Sequence, residues 1–158
     1  MSTPTQYINH LHLMGRLIKN KTAGLTHADS MRQLPFPANC MNWNLGHLLV
    51  YRMQYLGVID GVTKPDPSEF AIYGGGSPPL TDSEKAIPLE ILLQRLDEAS
   101  EMVINALQKM PLEKLSEIYD AEKGTTVDDR LQFYLIFHES YHVGQLEILY
   151  ELALAGRG

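Results

Sequence analysis

The sequence predicts an all-α fold, and three observations predict it. Four long stretches carry apolar residues at the three- and four-residue spacing of an amphipathic helix. No segment alternates apolar and polar residues with the period of a strand. Glycines and an Asp-Gly pair punctuate the chain between the stretches. Four helices of this length are most simply buried as a four-helix bundle. The 158 residues show no repeat and no linker, which predicts one domain over 1–158. A domain of this size hides roughly 70% of the surface of its unfolded chain, enough for a substantial core.

The first helix is expected over residues 5–22, with Ile8, Leu11, Met14, Leu17 and Ile18 on one side, Pro4 in its first turn and Gly24 just past its end. The second is expected over 39–59, with Asn39 as N-cap and Asp60-Gly61 as the turn that ends it. Residues 60–79 then form a long connection rich in Pro and Gly, of the length that serves as a lid over a site. The third helix is expected over 88–110, followed by a short turn of helix within 111–119 and a break at Gly124. The fourth runs over 126–154. Thr126 is its N-cap, Asp128 and Asp129 complement the dipole of its first turn, and Gly156 follows its end.

Composition excludes several classes of function. The net charge of −6 and the absence of any basic run argue against a nucleic-acid face and against an anionic membrane surface. The longest interval without a charged residue, 33–51, contains Pro35, Pro37 and three Asn, so it does not read as a membrane span. The first ten residues lack the basic and apolar regions of a secretory signal. Cys40 is the one cysteine, which excludes an internal disulfide and, with the missing signal, points to the cytoplasm. A buried, inert thiol is the ordinary expectation for Cys40, although it lies only seven residues before His47.

The chemistry concentrates in His138-Glu139-Ser140-Tyr141-His142. Residues i and i+4 stack one turn apart on a helix, so two imidazoles can chelate one ion. Leu131, Leu135, Leu146 and Leu149 share their face, which directs it to the core. Two histidines buried there need partners, and a metal satisfies both rings at once. The string also reads H-E-x-x-H, the zinc-protease signature. Gly144 sits at the wrong offset for the extended form, no histidine follows His142, and no sheet is expected to line a peptide cleft, so the protease is rejected. A third ligand must come from His10, His12, His27 or His47. His47, in the apolar run Trp43-Asn44-Leu45-Gly46-His47-Leu48-Leu49 with Gly46 permitting close approach, is the best candidate, while the other three are expected at the surface. Three imidazoles with open positions describe a catalytic-type site, since structural zinc sites fill all four positions with protein groups. Imidazole suits zinc, nickel, copper and iron.

These motifs resemble those of the DinB/YfiT-like superfamily of metalloenzymes. Trp43 to His47 is similar to its W-x-x-x-H segment in helix two, and His138-x-x-x-His142-x-Gly144-Gln145 to its H-x-x-x-H-x-G-Q motif in the last long helix. Chain length, helix count and the long second connection agree, so the resemblance spans the chain. It implies a four-helix bundle, a metal triad of His47, His138 and His142, nickel or zinc as the ion, and a homodimer. It also implies a transferase or isomerase that uses a low-molecular-weight thiol on a small-molecule electrophile.

Three functions share this triad: a thiol S-transferase, a metal-binding or stress-response protein without turnover, and a hydrolase that activates water. Tyr73 in the long connection and Tyr141 beside the ligand helix are candidate hydrogen-bond donors to a substrate, with ordinary packing as the alternative for each. Glu139 and Gln145 are candidates to orient the imidazoles. Glu139 lies about 100° round the helix from His138 and could equally face solvent. Arg52 and Arg16 are candidates to meet the carboxylates of a thiol cofactor. Trp43 reads as core before substrate platform.

Overall fold

The computed structural model describes residues 2–156. The expected domain bounds of 1–158 therefore end in residues outside the described ones. Helix α1 (Pro4–Thr22) begins with a capping box: the Thr3 hydroxyl accepts from Gln6 N–H, and the Gln6 side chain accepts from Thr3 N–H. Tyr7, Leu11, Met14 and Ile18 form its buried stripe. A single-turn helix α2 (His27–Ser30) follows, closed by a second capping box between Thr26 and Asp29.

Helix α3 (Met41–Asp60) is buried on nearly every face through its first ten residues. Its apolar residues therefore show no single stripe, as expected for a central helix. It ends where Gly61 turns left-handed, at φ 78°, and donates to the Gly57 carbonyl. Helix α5 (Leu89–Lys109) is amphipathic and buries Leu92, Leu96, Ala99, Val103 and Leu107. The last long stretch comprises α6 (Val127–Leu131), a π-helical segment (Gln132–His138) and α7 (Glu139–Ala155). Thr126 caps it through a box with Asp129. The long helices pack pairwise: α3 on α5 and α7, and α1 on α5 and α7. The chain is thus mostly helical, as expected, and among the described residues no helix is long and apolar enough to cross a membrane.

Four details differ from expectation. Residues 60–79 are not wholly irregular. They contain α4 (Pro67–Tyr73), whose start is written in the sequence: Asp66 accepts from Ser68 N–H and Glu69 N–H, and Pro67 occupies the first turn. Strands are present too, as a small antiparallel hairpin of β1 (Ile118–Asp120) and β2 (Thr125–Thr126) that turns through Gly124 at φ 63°. Strands of three and two residues are too short to show alternation. The N-cap of α3 is Cys40 rather than Asn39, and no side chain caps it. The Asn44 amide donates back to the carbonyls of Asn39 and Cys40, which ties the incoming chain to the first turn but leaves the N–H groups of that turn uncapped by a side chain. Finally, the fourth helix is not uniform. Glu139 N–H reaches the Tyr134 carbonyl five residues back, the π pattern that is frequent at functional sites.

Candidate metal centre

Helix α3 presents His47, and the junction of the π segment with α7 presents His138 and His142. One ligand atom from each of the three rings lies within 4.8 Å of the others, so the group could hold a metal ion. His47 and His142 are buried and His138 half-buried.

The ring partners decide which nitrogens face inward. His47 Nδ1 lies 2.6 Å from the Tyr73 carbonyl, which can only accept, so Nδ1 carries the proton and Nε2 is bare. His142 Nδ1 lies 3.0 Å from Asn44 Oδ1 and 2.8 Å from Gln145 Oε1. The Asn44 amide nitrogen is committed to two carbonyls, so its oxygen faces the ring, His142 Nδ1 donates, and its Nε2 is bare as well. His138 Nδ1 lies 2.8 Å from the Tyr55 hydroxyl, and its Nε2 lies 3.0 Å from His47 Nε2. Two bare nitrogens thus face the Nε2 of His138, whose tautomer the Tyr55 hydroxyl permits either way, and an outer partner fixes each ring, which is the arrangement that tunes a metal site. Three imidazoles are a donor set that fits a divalent transition-metal ion.

Burial holds all three histidines low, at about 4, and the neighbouring imidazoles add to the effect. Each ring is therefore neutral at physiological pH, the form that binds metal. Trp43 stacks on His47 with ring centroids 4.5 Å apart, and Tyr51 covers both His47 and His138 at 4.4 and 4.6 Å.

Residues 10–146 of the sequence match the DinB superfamily. The chain belongs to the DinB superfamily. No curated protein matches it. A crystal structure of a conserved protein from Enterococcus faecalis shares the fold, with a TM-score of 0.75 at 17% identity over 98% of this chain and 99% of that one.

The fold brings together some of the candidate residues of this DinB-superfamily chain and separates others. Tyr73 is at the site, through its backbone. Its phenol is fully buried, donates to Asn42 Oδ1 and accepts from Ile87 N–H, so it is not free to bind a substrate. Gly46 makes room for it: a Cβ there would lie 2.2 Å from the Tyr73 ring. The close approach that Gly46 permits is therefore that of an aromatic ring from α4. Tyr141 is 56% exposed, its ring edge-on to His142 at 5.1 Å.

Glu139 does not face solvent. It is fully buried and accepts from Arg52 Nε and Nη2 at 2.8 and 3.1 Å. Arg52 also donates to the Leu96 carbonyl and Ser100 Oγ, which leaves it sealed in the core and unable to meet a cofactor carboxylate. Glu139 touches Arg52 rather than an imidazole, whereas Gln145 does orient His142. Arg16 lies in a different groove, with Lys19, Asp97 and Glu101.

His12 is exposed and His10 and His27 half-buried, and none joins the triad. Cys40 is buried with its Sγ 3.6 Å from the Leu80 carbonyl, and burial pushes its thiol up. Asn44, Tyr51 and Tyr55 stand at the site as well, beyond the residues that the motifs single out. The signal was their spacing: Asn44 precedes His47 by three residues, Tyr51 follows it by four and Tyr55 by eight, all on one side of α3.

Proposed function

We propose that the protein is a metalloenzyme, a single four-helix-bundle domain in which His47, His138 and His142 hold zinc or nickel, and that it transfers a small thiol to a small electrophile. The observation that supports this most directly is the convergence of three imidazole nitrogens, two of them left bare by a carbonyl and by a committed amide. Among the described residues three side chains form the cluster, which leaves coordination positions for an exogenous ligand, the mark of a catalytic rather than structural site. The ion, when bound, would act as a Lewis acid that lowers the pKa of a thiol or water beside it.

The chain's own residues do the rest. Tyr73, Asn44, Gln145 and Tyr55 hold the rings in orientation. Trp43 and Tyr51 shield the site from bulk water, and the exposed Tyr141 hydroxyl is placed to donate to a substrate. A hydrolase is the second reading. It is favoured by the location of Arg52 and Arg16, since neither cation stands at the triad to meet the carboxylates of an acidic thiol.

The test is metal analysis of the purified protein beside His47→Ala and His142→Ala, then assays of the zinc- and nickel-loaded protein. The expected result is one ion per chain in the parent, none in the variants, and turnover of a chromogenic electrophile that requires added thiol. Full metal occupancy in both variants would overturn the triad. Turnover of esters without thiol would replace the transferase with the hydrolase.

A further inference from the structure

A groove of about 410 Å³ opens beside the triad, between the segment that precedes α3 and the outer face of α7. It falls in the range of small-ligand sites, roughly 300–1,000 Å³. His142 and Trp43 belong both to its lining and to the metal centre, so anything seated in it abuts the site. Its walls are Leu34, Phe36, Trp43, Tyr141 and Ile148.

No Lys, Arg, Asp or Glu lines this groove. Four other grooves on the molecule each carry at least one: Lys109 and Lys114, Arg16 and Asp97, Lys64, or Lys19 and Glu90. A charged ligand entering here would lose hydration with no counter-charge in return, which is costly. An apolar one gains about 25 cal/mol for each Å² withdrawn from water.

The polar groups present are neutral amides. Gln145 gives its oxygen to His142 Nδ1, which leaves its N–H groups without a protein partner among the described residues. The side chain of Asn39 on the opposite rim is likewise unbonded among them. Two free amides at the edge of an apolar slot suit an acceptor on an otherwise greasy molecule.

We propose that this groove binds an uncharged, largely apolar molecule carrying a carbonyl-type hydrogen-bond acceptor. That the molecule is the substrate rests on the metalloenzyme reading above; the selectivity of the groove does not.

Two naphthalene dyes of similar size test the selectivity. Prodan is neutral and carries a ketone, and 1-anilinonaphthalene-8-sulfonate is an anion. Trp43 is the one tryptophan of the chain and lines the groove, so energy transfer from it to a bound dye reports occupancy. The metal-loaded protein is titrated with each dye, and metal content is measured on the same samples. Phe36→Glu and Ile148→Glu place a charge on the rim, at positions 59% and 64% exposed and outside the histidine cluster, so the fold and the ion should be retained.

The expected result is saturable Prodan binding at one per chain with transfer from Trp43. The anion should bind at least about tenfold more weakly, and each variant should lose about tenfold in Prodan affinity, each a difference of roughly 1.4 kcal/mol. Equal or tighter binding of the anion overturns the proposal, as does Prodan binding that both variants leave unchanged. A dimer that dissociates in the two variants while the parent takes up no Prodan also overturns it, and assigns the face to a second copy of the chain. Prodan bound by a protein that retains no metal supports the groove and defeats the metalloenzyme reading. Metal bound without Prodan does the reverse.

Discussion

Two polar clusters join α3 to the last long helix, and they are built to opposite ends. Arg52 and Glu139 form the first. Both are at most 1% exposed, and the guanidinium meets the carboxylate, the Leu96 carbonyl and Ser100 Oγ. The cluster is closed: each charge has its partner and no ligand is called for. The triad is the second. Its outer nitrogens are equally well held, yet its inner ones face each other, and those of His47 and His142 have only lone pairs to offer. Residues 138 and 139 are neighbours in sequence, and one belongs to each cluster. Burial alone therefore does not mark a functional site. What marks it is a set of buried polar atoms whose requirements the protein leaves open.

The largest expected effect breaks the closed cluster. Glu139→Ala strands a buried guanidinium and should cost about 3–5 kcal/mol of stability, read from urea unfolding. Replacing both partners together, Arg52→Met with Glu139→Leu, should recover most of that loss, because a well-packed apolar pair is often neutral at such sites. A Glu139→Ala loss below about 1 kcal/mol would mean that the pair is not desolvated.

Acid should strike the open cluster instead. The three histidines titrate at about 4 in the fold, against about 6.5 in an unfolded chain. Between those values the unfolded state binds more protons, so the stability of the metal-free protein falls as pH is lowered from about 6.5 to about 4. A bound ion should oppose this, since it favours the same neutral rings. Thermal unfolding across that window, with and without zinc, checks both statements. A flat profile in the metal-free protein would show that the rings are solvated.

Gly46→Ala should come next. Its Cβ would collide with the Tyr73 ring, with an expected cost of about 1–3 kcal/mol and a loss of metal affinity as the carbonyl behind His47 shifts. The smallest effect sharpens the comparison most. Asn44→Ala removes one outer partner of His142 while leaving Gln145, and should lower metal affinity about 10–100-fold, with a further loss of about 1 kcal/mol of stability from its hydrogen bonds to the Asn39 and Cys40 carbonyls. A competition titration with a chromophoric chelator measures it.

Much of this was legible in the chain. The i,i+4 histidines, the apolar run around His47 and the capping residue Thr126 are local patterns, and each appears where its spacing places it. The start of α4 was legible too, in Asp66-Pro67-Ser68-Glu69, but the surrounding Pro and Gly hid it. The two-stranded hairpin was not, since so short a ladder is specified by its turn and its neighbours and leaves no periodic trace. The contacts of Tyr73, Arg52 and Glu139 depend on residues 26, 44 and 87 positions away. No spacing rule reaches that far.

The sequence by itself therefore determined the helices and the identity of the three histidines, because helical periodicity and side-chain chemistry act over a turn or two. Only the tertiary structure decided which nitrogens are bare, that the carboxylate beside His138 is spent on an arginine, and that the slot beside His142 holds no charge. Those are properties of what packs against a residue, and packing joins distant parts of the chain.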